Sequence, residues 1–183
     1  ESVFQAFVDG KILSSAVNKL FLVSYLKEEK IYFVPGLFAQ DELWTFQLTL
    51  KLNSVAFQKD TTYTYYLHNQ SVIHNRNKRN FDNWFTIGKY IEAALKSENN
   101  SERKNLILRY LINYKSLTLQ MNWRAQKNEE LWKESYQNYK TLSKLKWTDY
   151  LSARFSKSTK KSDLFNRLPT PLGFHFFKWR YER

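Results

Sequence analysis

The clearest alternation in the chain falls at WTFQLTLKLN, where Trp44, Phe46, Leu48, Leu50 and Leu52 are separated by Thr45, Gln47, Thr49 and Lys51. Strict period two is the mark of a half-buried strand. Read as a helix, the same residues spread over a wide apolar face, as in a helix packed on all sides. The pattern alone leans to strand. Upstream, NKLFLVSYLKEEK sets Leu20, Val23 and Tyr25/Leu26 at roughly helical spacing, with Asn18 as the cap and charges at the far end. That predicts a helix within 18–30. IYFV (31–34) reads as a short strand running into a Pro35-Gly36 turn. VAFQK (55–59) and TTYTYYLH (61–68) are rich in β-branched and aromatic residues and predict a hairpin turning near Lys59-Asp60.

Beyond residue 80 the period becomes helical. Phe81, Trp84, Phe85, Ile91 and Leu95 share one face, and Ser101-Glu102 opens a second segment. There Ile107, Leu111 and Tyr114 form a stripe beside Leu108 and Ile112. Trp132, Tyr136 and Tyr139 mark a third helix, and 147–155 a short fourth beginning near Thr148. Serine and lysine crowd SKSTKKS (156–162), which predicts an exposed connection. Pro169 and Pro171 are expected to stop any helix before GFHFFKWRYER. No internal repeat is legible.

Charge divides this pattern in two. Residues 1–73 hold six Lys/Arg against seven Asp/Glu, and residues 74–183 hold 23 against 10, so −1 and +13 make the net +12. Such asymmetry points to two roles, and the boundary is set at 75/76. The basic, aromatic tail HFFKWRYER allows two readings. Its aromatics pack on the helical layer with the cations solvated, or they meet an anionic membrane surface, where Trp and Tyr favour the headgroup level. Phosphate attraction alone would also allow nucleic-acid binding, but nothing suggests base readout, so nucleic acid is the less favoured partner.

Composition removes several chemistries. With no cysteine there is no disulfide, thiol catalysis or cysteine metal site, which fits a reducing compartment. Four glycines leave no glycine-rich phosphate cradle. His68, His74 and His175 lack ligand spacing, so no metal site is predicted, and neither a D-x-D nor a Ser-His-Asp set is identifiable. No run approaches the roughly 18 apolar residues of a membrane span, and no signal-peptide pattern is evident. The only methionine is Met121, so the chain is expected to be a piece of a longer protein.

What remains is Asp41-Glu42, after the Pro-Gly turn. Two acids in a first turn stabilise a helix through its dipole. A carboxylate held rigidly at a helix start is also a candidate general base for a hydroxyl.

Four short motifs surround that pair: Ala16-Val17-Asn18-Lys19-Leu20-Phe21, then Phe33 to Gly36, then Gln40-Asp41-Glu42, then Tyr63-Thr64-Tyr65-Tyr66 with Ser71-Val72. In order and spacing they resemble the second half of bacterial family-2 glycosyltransferases of the GT-A fold, the enzymes of cell-surface polysaccharide synthesis. The resemblance covers roughly residues 12–75. It implies transfer of a sugar from a nucleotide donor to a glycan or lipid-linked acceptor hydroxyl, with Asp41 as general base and Glu42 in support. It also implies substrate-binding roles for Lys19, for Tyr66 at the family's arginine position, and for the neighbouring His68. Gln40 stands where the family has its first acid, and Val17 where it has an aromatic. The family's nucleotide-binding half, with its D-x-D and Mg²⁺ or Mn²⁺, is absent from this sequence, so the chain alone is expected to be inactive and to have that half as its partner.

The expected fold class is therefore α+β, mostly α: an incomplete GT-A C-terminal half of short strands and helices over 1–75, then a basic helical extension over 76–183. The resemblance makes WTFQLTLKLN a helix, against the alternation. Cytoplasmic placement, peripheral on the inner face of the membrane, is expected. So is self-association through apolar surface such as Phe4, Phe7, Val17 and Phe21. The competing reading is a non-enzymatic basic helical module that binds a protein, an anionic membrane or nucleic acid, with Asp41-Glu42 merely a cap.

Overall fold

The computed structural model describes residues 1–64, 66 and 78–182. It divides into two compact units, Glu1–Ser71 and Val72–Arg183.

The first unit is built on α1 (Val3–Val8), α2 (Val23–Glu28) and α3 (Asp41–Thr49). Ser2 caps α1, accepting from the Gln5 amide at 3.1 Å. The alternating segment is helical. Around α3, Leu43, Trp44, Thr45, Phe46, Leu48 and Thr49 are all buried, so both registers of the alternation face protein. The two threonines tolerate this because their hydroxyls are bonded, Thr45 to the Ser14 carbonyl at 2.7 Å and Thr49 to the Thr45 carbonyl at 2.8 Å. Phe4 of α1 meets Phe46 edge-on, ring centroids 5.7 Å apart. Phe4 and Phe7 are thus core residues, Phe21 is partly buried, and Val17 is exposed.

The expectation of an α+β, GT-A-type fold is corrected. No described residue lies in a strand. IYFV, VAFQK and the described part of TTYTYYLH run without a ladder, and Val55 and Phe57 stand exposed. Strand propensity becomes a strand only against a neighbouring strand, and no described segment supplies one. The helix within 18–30 is also shorter than its apolar spacing suggests. It begins at Val23, and Leu20 is 99% exposed.

The second unit comprises α4 (Lys78–Ser97), α5 (Ser101–Gln126), α6 (Glu129–Lys140), α7 (Trp147–Leu151), α8 (Lys157–Phe165) and α9 (Thr170–Tyr181). Asparagines open the two helices at its centre. Asn100 accepts from the Glu102 and Arg103 amides, both at 3.0 Å, and Asn128 from Leu131 at 3.0 Å. The predicted stripes face the core: Trp84, Ile91, Ile107, Leu111, Tyr114, Trp132, Tyr136 and Tyr139 are buried.

Two expectations fail here for identifiable reasons. SKSTKKS is helix rather than connection: Ser156 caps α8 on the Thr159 amide at 3.1 Å, and Thr159, Asp163 and Asn166 turn inward. Polar residues at helical spacing facing a polar partner leave no apolar signature in sequence. The prolines start α9 instead of stopping a helix, Pro169 at the cap and Pro171 in the first turn, where the missing N–H costs nothing. Gly173 then lets α9 cross α6 closely, since a Cβ there would lie 2.8 Å from the Tyr136 ring. Trp132 stacks on Tyr136 at 5.0 Å and meets Phe177 at 4.8 Å, closing the aromatic core between these helices.

Candidate functional site

The site is assembled at the start of α3. Asp41 is its first residue, solvent-exposed, with Glu42 partly buried behind it. Gln40, just before the acidic pair, is used structurally. Its amide nitrogen donates to the Leu37 carbonyl at 2.9 Å, and its side-chain oxygen accepts from the Val34 amide. The turn needs that bracing because it passes through Gly36 at φ +77° and Ala39 at φ +53°, the latter in a region unfavourable for alanine.

Residues 13–19 run across the first turns of α3. The Ala16 amide donates to Asp41 Oδ2 at 3.4 Å, a long bond, and Ser14 receives the Thr45 hydroxyl. Lys19 holds this segment together. Its ammonium donates to the Leu13 carbonyl at 2.6 Å, to the Ser15 carbonyl, and to Asn18 Oδ1 at 2.9 Å. Partial burial pulls the Lys19 pKa down from the ordinary lysine value, while the nearby negative charge of Asp41 opposes that shift. An ammonium has three donors, and these three bonds use them. In this geometry Lys19 orders the loop beside Asp41.

Trp44, one turn further along α3, collects the other motifs. Phe21 meets its ring edge-on at 5.3 Å, and Phe33 stacks on it at 5.3 Å with the planes 19° apart. Ile31 and Leu48 complete this cluster. Three of the four motifs, Ala16 to Phe21, Phe33 to Gly36 and Gln40 to Glu42, therefore converge on one helix start, although up to 26 residues separate them in the chain. Tyr66 does not join them: it is 81% exposed and lies outside the Trp44 cluster. His68 and His74 lie outside the described residues.

Among the described residues no three His, Asp or Glu side chains gather as a metal site, and no helix is long and apolar enough to cross a membrane. In the sequence Trp44 is only one position of an alternation. Its role as the hub was not legible, because the two aromatics that sandwich it come from segments 11 and 23 residues away. The buried Lys115, with its polar partners in the second unit, carried no sequence signal beyond an ordinary lysine in a helix. No protein-family model, curated protein or solved structure matches the chain.

Proposed function

We propose that this chain supplies the acceptor side of an enzyme transferring a sugar from a nucleotide sugar to a hydroxyl of a glycan or lipid-linked acceptor, with Asp41 as the general base. One observation carries the reading. The acidic pair sits at an exposed helix start, and the two motifs that resemble its family neighbours are folded against it. A carboxylate there is held by the helix and remains open to an acceptor.

In the reaction, the acceptor hydroxyl gives its proton to an Asp41 oxygen. The acceptor oxygen then bonds to the anomeric carbon as the nucleoside diphosphate departs with the former bond's electron pair. Glu42 supports Asp41. Lys19 acts by fixing the 13–19 loop beside it, and Tyr66 and His68 are kept as substrate-binding residues on the resemblance alone. The nucleotide sugar and its Mg²⁺ or Mn²⁺ would be held by a separate nucleotide-binding half. The exposed apolar side chains of the first unit, Leu20, Leu22, Val23 and Phe57, offer surface for that half or for a second copy of the chain. Nucleotide sugars are supplied in the cytoplasm, and we place the activity there, peripheral to the inner face of the membrane.

The test is transfer by the protein that joins this chain to a donor-binding half. Asp41→Asn should abolish product while Glu42→Gln retains part of it. Product formation by Asp41→Asn within a few-fold of wild type would remove Asp41 from the mechanism. The alternative, a basic helical interaction module, is favoured by one feature of the second unit, its last two helices.

A further inference from the structure

Helices α8 and α9 carry a face that the internal packing leaves outside. α9 buries Gly173, Phe174 and Phe177 and turns Leu172, Phe176 and Trp179 outward. These positions are four and three apart and form one stripe. Leu172 is 58% and Trp179 54% exposed. Phe176 lies 5.7 Å from the Trp179 ring and 5.9 Å from Phe165, so the stripe continues onto α8, where Leu164 is exposed as well. A single exposed apolar side chain is ordinary, but a connected row across two helices calls for a partner.

The charges around the row are of one sign. Residues 157–181 contain Lys157, Lys160, Lys161, Arg167, Lys178 and Arg180 against one acid, Asp163. Asp163 is fully buried: it pairs with Arg167 at 2.8 Å, receives the Leu145 amide at 3.2 Å and accepts from the Tyr150 hydroxyl. The next acid, Glu182, is exposed just past the end of α9, but it is paired there, accepting from Trp123 Nε1 at 2.9 Å and bridging to Lys178 at 3.3 Å. Lys157, Lys161 and Leu164 share one face of α8, and Arg180 follows Trp179 on α9.

We infer that the α8–α9 face docks on an anionic lipid bilayer, with Leu172, Phe176 and Trp179 entering the interface and Lys157, Lys161 and Arg180 meeting the headgroups. An indole is at home at headgroup depth, while leucine and phenylalanine gain by passing below it. A nucleic-acid strand would satisfy the cations and stack on the rings, but it offers nothing to the two leucines of the row. The inference sharpens the peripheral placement proposed above. It does not depend on sugar transfer, because binding is measured without any nucleotide sugar.

The experiment is co-sedimentation of the full chain with vesicles of equal phosphatidylglycerol and phosphatidylcholine, compared with phosphatidylcholine alone. Partition into the anionic vesicles should be at least about tenfold stronger and should weaken with salt. Phe176→Ser with Trp179→Ser, and separately Lys157→Glu with Lys161→Glu, should each lower it at least about tenfold. The same charge change elsewhere, Lys89→Glu with Lys104→Glu, should lower it far less. Circular dichroism checks each fold, and if the aromatic pair misfolds the lysine pair decides. Equal binding to neutral vesicles, no binding at all, an equal loss in the control pair, or retention on a single-stranded oligonucleotide but not on vesicles would overturn the inference.

Discussion

Lys115 projects from the middle of α5 into the core, fully buried, and donates to the Ser143 carbonyl at 2.9 Å. Burial pulls its pKa down to about 8, with the charge of Asp163 acting in the opposite direction. The folded state therefore binds fewer protons than the unfolded state between pH 8 and the ordinary lysine value, and stability must rise with pH through that window. The gain from pH 8 to 10 should be about 2 kcal/mol. Above pH 10 the trend reverses, because burial raises the pKa of Tyr139, Tyr136 and Tyr150, and the unfolded state then loses its protons first. Urea denaturation at pH 8, 9 and 10 checks the rise, and Lys115→Met should flatten it. A second residue-scale test lies at the end of α5, where Lys127 takes φ +49° while its amide closes on the Trp123 carbonyl at 2.8 Å. Lys127→Gly relieves the left-handed conformation and should stabilise by roughly 0.5–1 kcal/mol in thermal or urea unfolding.

α9 is placed by the contact of Gly173 with Tyr136, whose hydroxyl also donates to the Leu168 carbonyl at 3.1 Å just before the helix. Gly173→Ala should cost about 1–3 kcal/mol, since the ring it would strike is buried and cannot swing away. It should also displace the Phe176–Trp179 face, so reduced stability and reduced vesicle binding should appear together. Apolar rows at helical spacing made α4, α5 and α6 readable from sequence, because each helix buries one face. Periodicity failed where the buried face was polar, as in α8; at α3, buried on all sides, the alternation imitates a strand, while the resemblance made the segment the helix that it is. The prolines of α9 misled for a different reason: a proline forbids a helix interior but suits a first turn. At the candidate site the acidic pair and the Ala16–Phe21 and Phe33–Gly36 motifs were legible as local patterns. Their convergence on Trp44 was not, since contacts between distant segments leave no local period.

The molecule as a whole joins a small unit with many outward apolar side chains to a larger unit with a continuous aromatic core. Burial per residue sets how well a domain stands alone. Residues 72–183 expressed alone should therefore keep helical circular dichroism and a cooperative melt, whereas residues 1–71 alone should associate or unfold. A cooperative, monomeric 1–71 would count against the first unit needing a partner face. The central claim is nevertheless chemical. Its most direct measurement is kcat for sugar transfer by the protein that joins this chain to a donor-binding half, with Asp41→Asn, alongside the dissociation constant for the nucleotide sugar. The account predicts a fall in kcat of at least about a hundredfold with donor affinity unchanged within a few-fold. A kcat close to wild type would show that the carboxylate at the start of α3 serves the helix and not the reaction.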